Sequence, residues 1–164
     1  MIEQYSNPWF SVIKDGKYHY VKEFGAYNGA VVLVESDIDY IFVKVGRAAH
    51  SFQEQIEAPR GYGEKNSTSK ETAIRELYEE TGYLISENQL LMLGKVKPNS
   101  AILSSEVDLY LAQVSESQKV KDHDSEVTSV VKIPKQKVKK LISEGVISDS
   151  FTLSAFALLW SRER

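Results

Sequence analysis

Four residues in one short stretch could do chemistry together: Arg75, Glu76, Glu79 and Glu80, in the run Arg75-Glu76-Leu77-Tyr78-Glu79-Glu80-Thr81-Gly82. On a helix, residues three and four apart share a face, so Glu76 lies beside both Glu79 and Glu80. Carboxylates this close repel one another unless a cation sits among them. Mg²⁺ is a hard ion that takes carboxylate oxygens, keeps several waters and bridges substrate phosphates; Mn²⁺ is the alternative occupant. Held at a diphosphate, such an ion neutralises charge on the leaving phosphate and lowers the pKa of a bound water. Arg75 can orient one of the carboxylates through a charge-assisted hydrogen bond. The plainer alternative is a solvated acidic helix face with lysine partners elsewhere.

A helix must present these side chains, and the flanking sequence carries its punctuation. Thr68 followed by Glu71 predicts a capping box, with Thr68 as N-cap. Gly82 predicts the C-terminal stop. Ala73, Leu77 and Ile74 supply the core-facing side, and Ser67 stands at the helix entrance as an alternative cap. Before the helix the chain reads as strands. Trp9 to Ile13 and Tyr18 to Lys22 flank a turn at Lys14-Asp15-Gly16-Lys17. Ala30 to Glu35 and Tyr40 to Val45 are β-branched and apolar, and Gln53 to Ala58 predicts a short strand before Pro59. After the helix, strands are predicted over Gln89 to Val96, Val107 to Val114 and Glu126 to Ile133. Pro134 suits the first turn of a helix from Lys135 to Ser143, closed by Gly145. Asp149 or Ser150 caps a last helix through Trp160, with Phe151, Ala155, Leu158 and Leu159 as its apolar side. This order predicts an α+β fold in one domain over residues 1–164.

The stretch Gly61 to Tyr83 resembles the Nudix box, the signature of hydrolases that cut a diphosphate linked to another moiety. Gly61, Arg75, Glu76, Leu77, Glu79, Glu80, Gly82 and Tyr83 stand in register with that pattern. Ser67 stands where the family has its first glutamate, and Glu64, three residues earlier, is a candidate to supply the missing charge. The resemblance implies the Nudix fold, a mixed β-sheet sandwiched between α-helices. It also implies a metal site built from Glu76, Glu79, Glu80 and the backbone carbonyl of Arg60. From about Gly29 to Leu159 the chain is similar to the ADP-ribose pyrophosphatase branch. The segment Glu57-Ala58-Pro59-Arg60-Gly61 and the position of Pro98 match that branch, as does the acidic run Asp122-His123-Asp124-Ser125-Glu126 ahead of Pro134. By that match Glu126 takes a metal-ligand position and Asp124 the position of a general base. An ordinary acidic surface loop accounts for the same run, and His123 beside it reads as solvated. Arg47 falls where the branch has a substrate-touching arginine, though a strand-end surface residue fits as well. Trp9, Tyr27 and Phe52 are aromatics for an adenine or for the core.

The implied reaction is hydrolysis of ADP-ribose to AMP and ribose 5-phosphate. The rivals are a nucleotide sensor on the same fold, in keeping with Ser67, and a hydrolase of dinucleoside polyphosphates, nucleotide sugars or nucleoside triphosphates. Pro98 speaks against the triphosphates. Dimers built through N-terminal strands are frequent in the branch, which makes residues 1–28 a candidate dimerisation element.

Composition bounds the remaining classes. A net charge of −3 gives no electrostatic footprint for nucleic acid. The basic run Lys132 to Lys140 reads as the wet face of a helix rather than a phosphate patch. The absence of cysteine excludes disulfides and Cys-based zinc sites and fits a cytoplasmic protein. No signal-peptide pattern and no bilayer-spanning apolar run is seen, so no membrane partner is expected.

Overall fold

The computed structural model describes residues 1–162; residues 163 and 164, the end of the expected domain, lie outside the described residues. Strands β1 (Ile2–Ser6), β2 (Phe10–Asp15) and β3 (Tyr18–Glu23) form an antiparallel three-stranded sheet. Strands β4 (Ala30–Glu35), β5 (Asp39–Gly46), β6 (Glu54–Glu57) and β7 (Arg60–Gly61) lead into helix α1 (Ser69–Thr81). Strands β8 (Leu90–Val96), β9 (Val107–Gln113) and β10 (Ser129–Pro134) follow, then helices α2 (Lys135–Ser143) and α3 (Ser150–Trp160).

The larger sheet runs β10-β5-β4-β9-β8, with β6 on β5 and β7 on β4. It is mixed: β4 and β9 are parallel, and the other pairs are antiparallel. Successive strand residues point to opposite faces, and here the two faces meet different helices. Val31, Leu33, Phe42 and Leu109 pack with Val138, Ala155 and Phe156 of α2 and α3. Ala30, Val32, Val34, Ile41, Tyr110 and Ala112 pack with Ala73 and Leu77 of α1. The sheet therefore lies between helices, as the Nudix resemblance implies. Both faces of the central strands are buried, which is why β4 reads as an unbroken apolar run rather than an alternating one.

Several expectations shift. β1 pairs along β2 although its own residues are all exposed, so no apolar pattern marked it. Arg60 and Gly61 form a two-residue strand against Ala30 and Val31, too short to leave a sequence pattern. β10 begins at Ser129, not Glu126, because Glu126 N–H donates to Asp124 Oδ1 at 3.1 Å and keeps that segment in a turn. Pro134 ends β10 and is the N-cap of α2 rather than lying inside its first turn. The inward face of α3 is Thr152, Ala155 and Phe156; Phe151, Leu158 and Leu159 are only partly buried.

Candidate active site

The scaffold of the site is α1. Thr68 Oγ1 accepts from Glu71 N–H at 3.2 Å, and Thr68 N–H donates to Glu71 Oε2 at 2.7 Å, the reciprocal capping box the sequence predicts. Gly82 closes the helix at φ 77°, and a Cβ there would overlap the Lys121 carbonyl. Ser67 is not the cap. Its hydroxyl donates to the Glu64 carbonyl at 2.8 Å, and Asn28 Nδ2 donates to the Ser67 carbonyl at 2.9 Å. Ser67 thus shapes the loop that enters the helix.

The α1 carboxylates differ in burial. Glu76 is 9% exposed and Glu80 6%, while Glu79 is partly exposed. Glu80 Oε2 accepts from the main-chain N–H of Arg60 at 3.0 Å, which brings β7 against the helix. The Glu76 carboxylate lies against Gly61 where a Cβ would stand, so any larger residue there would displace it. Burial pushes the Glu80 carboxyl up to about 8, Glu76 beside it pushes the same way, and the Arg60 N–H and Arg47 oppose them. Burial also raises Glu76, against the pull of Arg75 and with the aid of Glu79 and Glu126.

Arg75 serves several partners. Its Nη2 lies 2.6 Å from Glu76 Oε1 and its Nη1 2.8 Å from Glu79 Oε2. Nη2 also donates to the Tyr62 carbonyl at 2.8 Å. Glu64 Oε1 stands 3.9 Å from Arg75 Nε, so the earlier glutamate does approach the arginine that Ser67 cannot pair. Glu76 and Glu79 hold the Arg75 guanidinium above its ordinary range, although burial pulls it down.

The acidic run reaches this helix through its backbone. Asp124 N–H donates to the Glu79 carbonyl at 2.9 Å, and Val120 N–H donates to the Gly82 carbonyl at 2.9 Å. The charges of Asp124 and Glu126 are felt at Glu80 and Glu76 respectively. His123 Nδ1 lies 2.8 Å from the Asp124 carbonyl, a local turn contact. Arg47 follows β5 directly and pairs with Glu57 at 2.6 Å. Pro98 follows β8 and begins the loop that reaches β3, where Leu103 bridges Val21. Tyr27 and Phe52 are exposed, as is Trp9, so none of the three is a core aromatic.

Among the described residues no group of three or more His, Asp or Glu side chains already converges in ligating positions. Arg75 draws Glu76 and Glu79 to itself instead. The donor set still fits a hard divalent cation. Two buried carboxylates stand one helical turn apart; Arg75 pairs with Glu76, but at Glu80 the pull of Arg47 and of the Arg60 N–H does not offset burial, so the pair lacks the positive charge that burial calls for.

The NUDIX domain model matches residues 26–148. The chain belongs to the Nudix family. It is a Nudix hydrolase whose box helix is α1. A solved structure described as an ADP compounds hydrolase matches with a TM-score of 0.74 and 19% identity, over 98% of this chain and 89% of that one. At that identity the likeness speaks for the Nudix fold alone. No curated protein matches the sequence.

One feature of the site escaped sequence reasoning: the ion-pair cluster of Arg47, Glu57, Arg60 and Asp149. The spacing of Glu57 and Arg60, acid and base three apart across a proline, was the available signal.

Proposed function

We propose that this Nudix hydrolase cleaves a nucleoside diphosphate linked to another moiety, with ADP-ribose as substrate and AMP and ribose 5-phosphate as products. The observation that carries the reading is the pair of buried carboxylates, Glu76 and Glu80, on the face of α1 that meets the Arg60 peptide. Glu76, Glu80 and the Arg60 carbonyl would hold Mg²⁺, with Mn²⁺ as substitute and Glu79 and Glu126 as further ligands. Bound there, the ion supplies Lewis acidity to the phosphates and to the attacking water. Asp124 or Glu126, carried to α1 by the Asp124 N–H contact, takes the proton from that water. Arg75 orients Glu76 and Glu79. Arg47 and Pro98 belong to the substrate side.

The matched ADP compounds hydrolase supports a substrate with an ADP moiety. The sensor reading draws on Ser67 alone, and Glu64 at 3.9 Å from Arg75 offsets that loss. No described helix is long and apolar enough to cross a membrane, and a chain without cysteine suits the cytoplasm. A homodimer completes the proposal: the three-stranded sheet bears exposed Ile2, Tyr5 and Tyr18, with Trp9 exposed in the turn between β1 and β2, and a second copy would cover them. Light scattering giving a monomer mass would remove this element.

The test is a panel of diphosphate substrates with Mg²⁺, the products being scored after phosphatase treatment. Cleavage of ADP-ribose to two phosphomonoesters is the expected result. Release of pyrophosphate from triphosphates would replace the substrate assignment, and tight nucleotide binding without cleavage of any substrate would favour the sensor.

A further inference from the structure

Glu57, at the end of β6, is the most deeply buried acidic side chain among the described residues, at 1% exposed. Its Oε2 accepts from Arg47 Nη2 at 2.6 Å, from Arg60 Nη2 at 3.0 Å and from Arg60 Nε at 3.2 Å. Arg60 Nη2 reaches on to Asp149 Oδ1 at 3.4 Å, and its guanidinium lies 4.6 Å from the centre of the Phe151 ring. Asp149 Oδ2 accepts from the N–H and the hydroxyl of Thr152 at 2.9 and 2.8 Å. Thr152 Oγ1 in turn accepts from the N–H of Ala58 at 2.9 Å, which closes a ring.

The ring encloses the segment Glu57-Ala58-Pro59-Arg60. One end is fixed by the Ala58 N–H on Thr152, the other by the Arg60 side chain on Glu57 and Asp149. What emerges from the ring is the Arg60 peptide, whose N–H meets Glu80 at 3.0 Å. A buried ion pair is a poor route to stability, since an apolar replacement of similar volume often serves as well. What such a cluster provides is directional: bidentate guanidinium contacts fix orientation as well as distance.

We propose that Glu57 is a positioning residue for the metal-binding face, setting the Arg60 peptide against Glu80 through its ion pairs with Arg60 and Arg47. The link to metal rests on the reading above that Glu76 and Glu80 bind a divalent cation; the positioning of the Arg60 peptide does not. Partners that orient ligands from behind typically govern metal affinity by about tenfold to a hundredfold.

The experiment compares wild type with Glu57→Gln, a change of charge at nearly constant shape. Two readouts are taken: exchange of the Arg60 amide in the metal-free protein by NMR, corrected for intrinsic rates, and Mn²⁺ affinity by calorimetry. The expected result is faster exchange at Arg60 together with Mn²⁺ binding weakened about tenfold or more. A Glu57→Gln protein with a lower Tm but unchanged Arg60 exchange and Mn²⁺ affinity would overturn the proposal, because that is the signature of a merely structural ion pair. If Glu57→Gln does not fold, Arg60→Met breaks the same ion pair from its partly exposed partner and leaves the Arg60 amide in place. The same two changes are expected there, and their absence overturns the proposal equally. A wild-type protein that binds no Mn²⁺ would sink the metal reading instead, while the exchange measurement still decides the role of Glu57.

Discussion

The two acidic regions of the site are held in opposite ways. On α1, Glu76 and Glu80 are buried, the helix is capped at both ends, and Arg75 and the Arg60 peptide grip the carboxylates themselves. In the run Asp122 to Glu126 the helix grips the backbone, and Asp124 spends its carboxylate on the Glu126 N–H of its own turn. Asp124 N–H binds the Glu79 carbonyl, just ahead of the run Val120 N–H binds the carbonyl of the C-cap Gly82, and Glu126 remains exposed. On the proposed reading, two buried helix carboxylates beside acids on a backbone-anchored loop suit hydrolysis. Metal ligands profit from preorganisation, whereas a base must reach its proton only when substrate is present.

Breaking the fixed side should cost most. Glu80→Gln should lower kcat/KM for ADP-ribose by about a thousandfold, the upper range for one preorganised electrostatic contact. Steady-state kinetics checks this, and a loss below tenfold would demote α1 from the centre of the chemistry. On the loop, Asp124→Asn and Glu126→Gln should separate the roles. The true base should cost about a hundredfold with little change in Tm, and the other residue clearly less. The joint between the regions is Gly82. Gly82→Ala forces a Cβ against the Lys121 carbonyl at positive φ and should destabilise by about 1–3 kcal/mol, with added proteolysis in the loop. Thr68→Ala touches only the helix start and should cost about 1 kcal/mol in denaturant melts, leaving kcat nearly intact.

The contrast also has a pH signature. The Glu80 carboxyl is about 8 in the folded metal-free protein against an ordinary 4.5. Below 4.5 it is protonated folded or unfolded, and it contributes nothing. Between 4.5 and 8 the unfolded chain loses the proton first, so stability falls as pH rises, and above 8 the full penalty stands. Melting in EDTA should therefore show a decline across that window which Glu80→Gln reduces. The rise in Tm on adding Mg²⁺ should grow with pH.

The same contrast explains what was legible in the sequence. The caps at Thr68, Glu71 and Gly82 act within one turn of chain, so they could be read directly. β4 and β5 could be read because both their faces are buried. What could not be read depends on distant partners. β7 exists only because Ala30 and Val31 lie opposite it. The start of β10 was misplaced because the side chain of Asp124 competes for the Glu126 N–H. The Glu57 cluster joins residues from β6 to α3, and no local pattern announces that Asp149 answers Arg60. Phe156 was missed because α3 is apolar on most sides, so its sequence does not choose a buried face.

Glu76, Glu80 and the Arg60 carbonyl are proposed as the metal centre of this hydrolase. Crystals soaked in Mn²⁺ and measured at its absorption edge test it most directly. The expected result is an anomalous peak within bonding distance of both carboxylates and the Arg60 carbonyl oxygen. A fully occupied Mn²⁺ elsewhere with this face empty, and Arg75 still bridging Glu76 and Glu79, would contradict it.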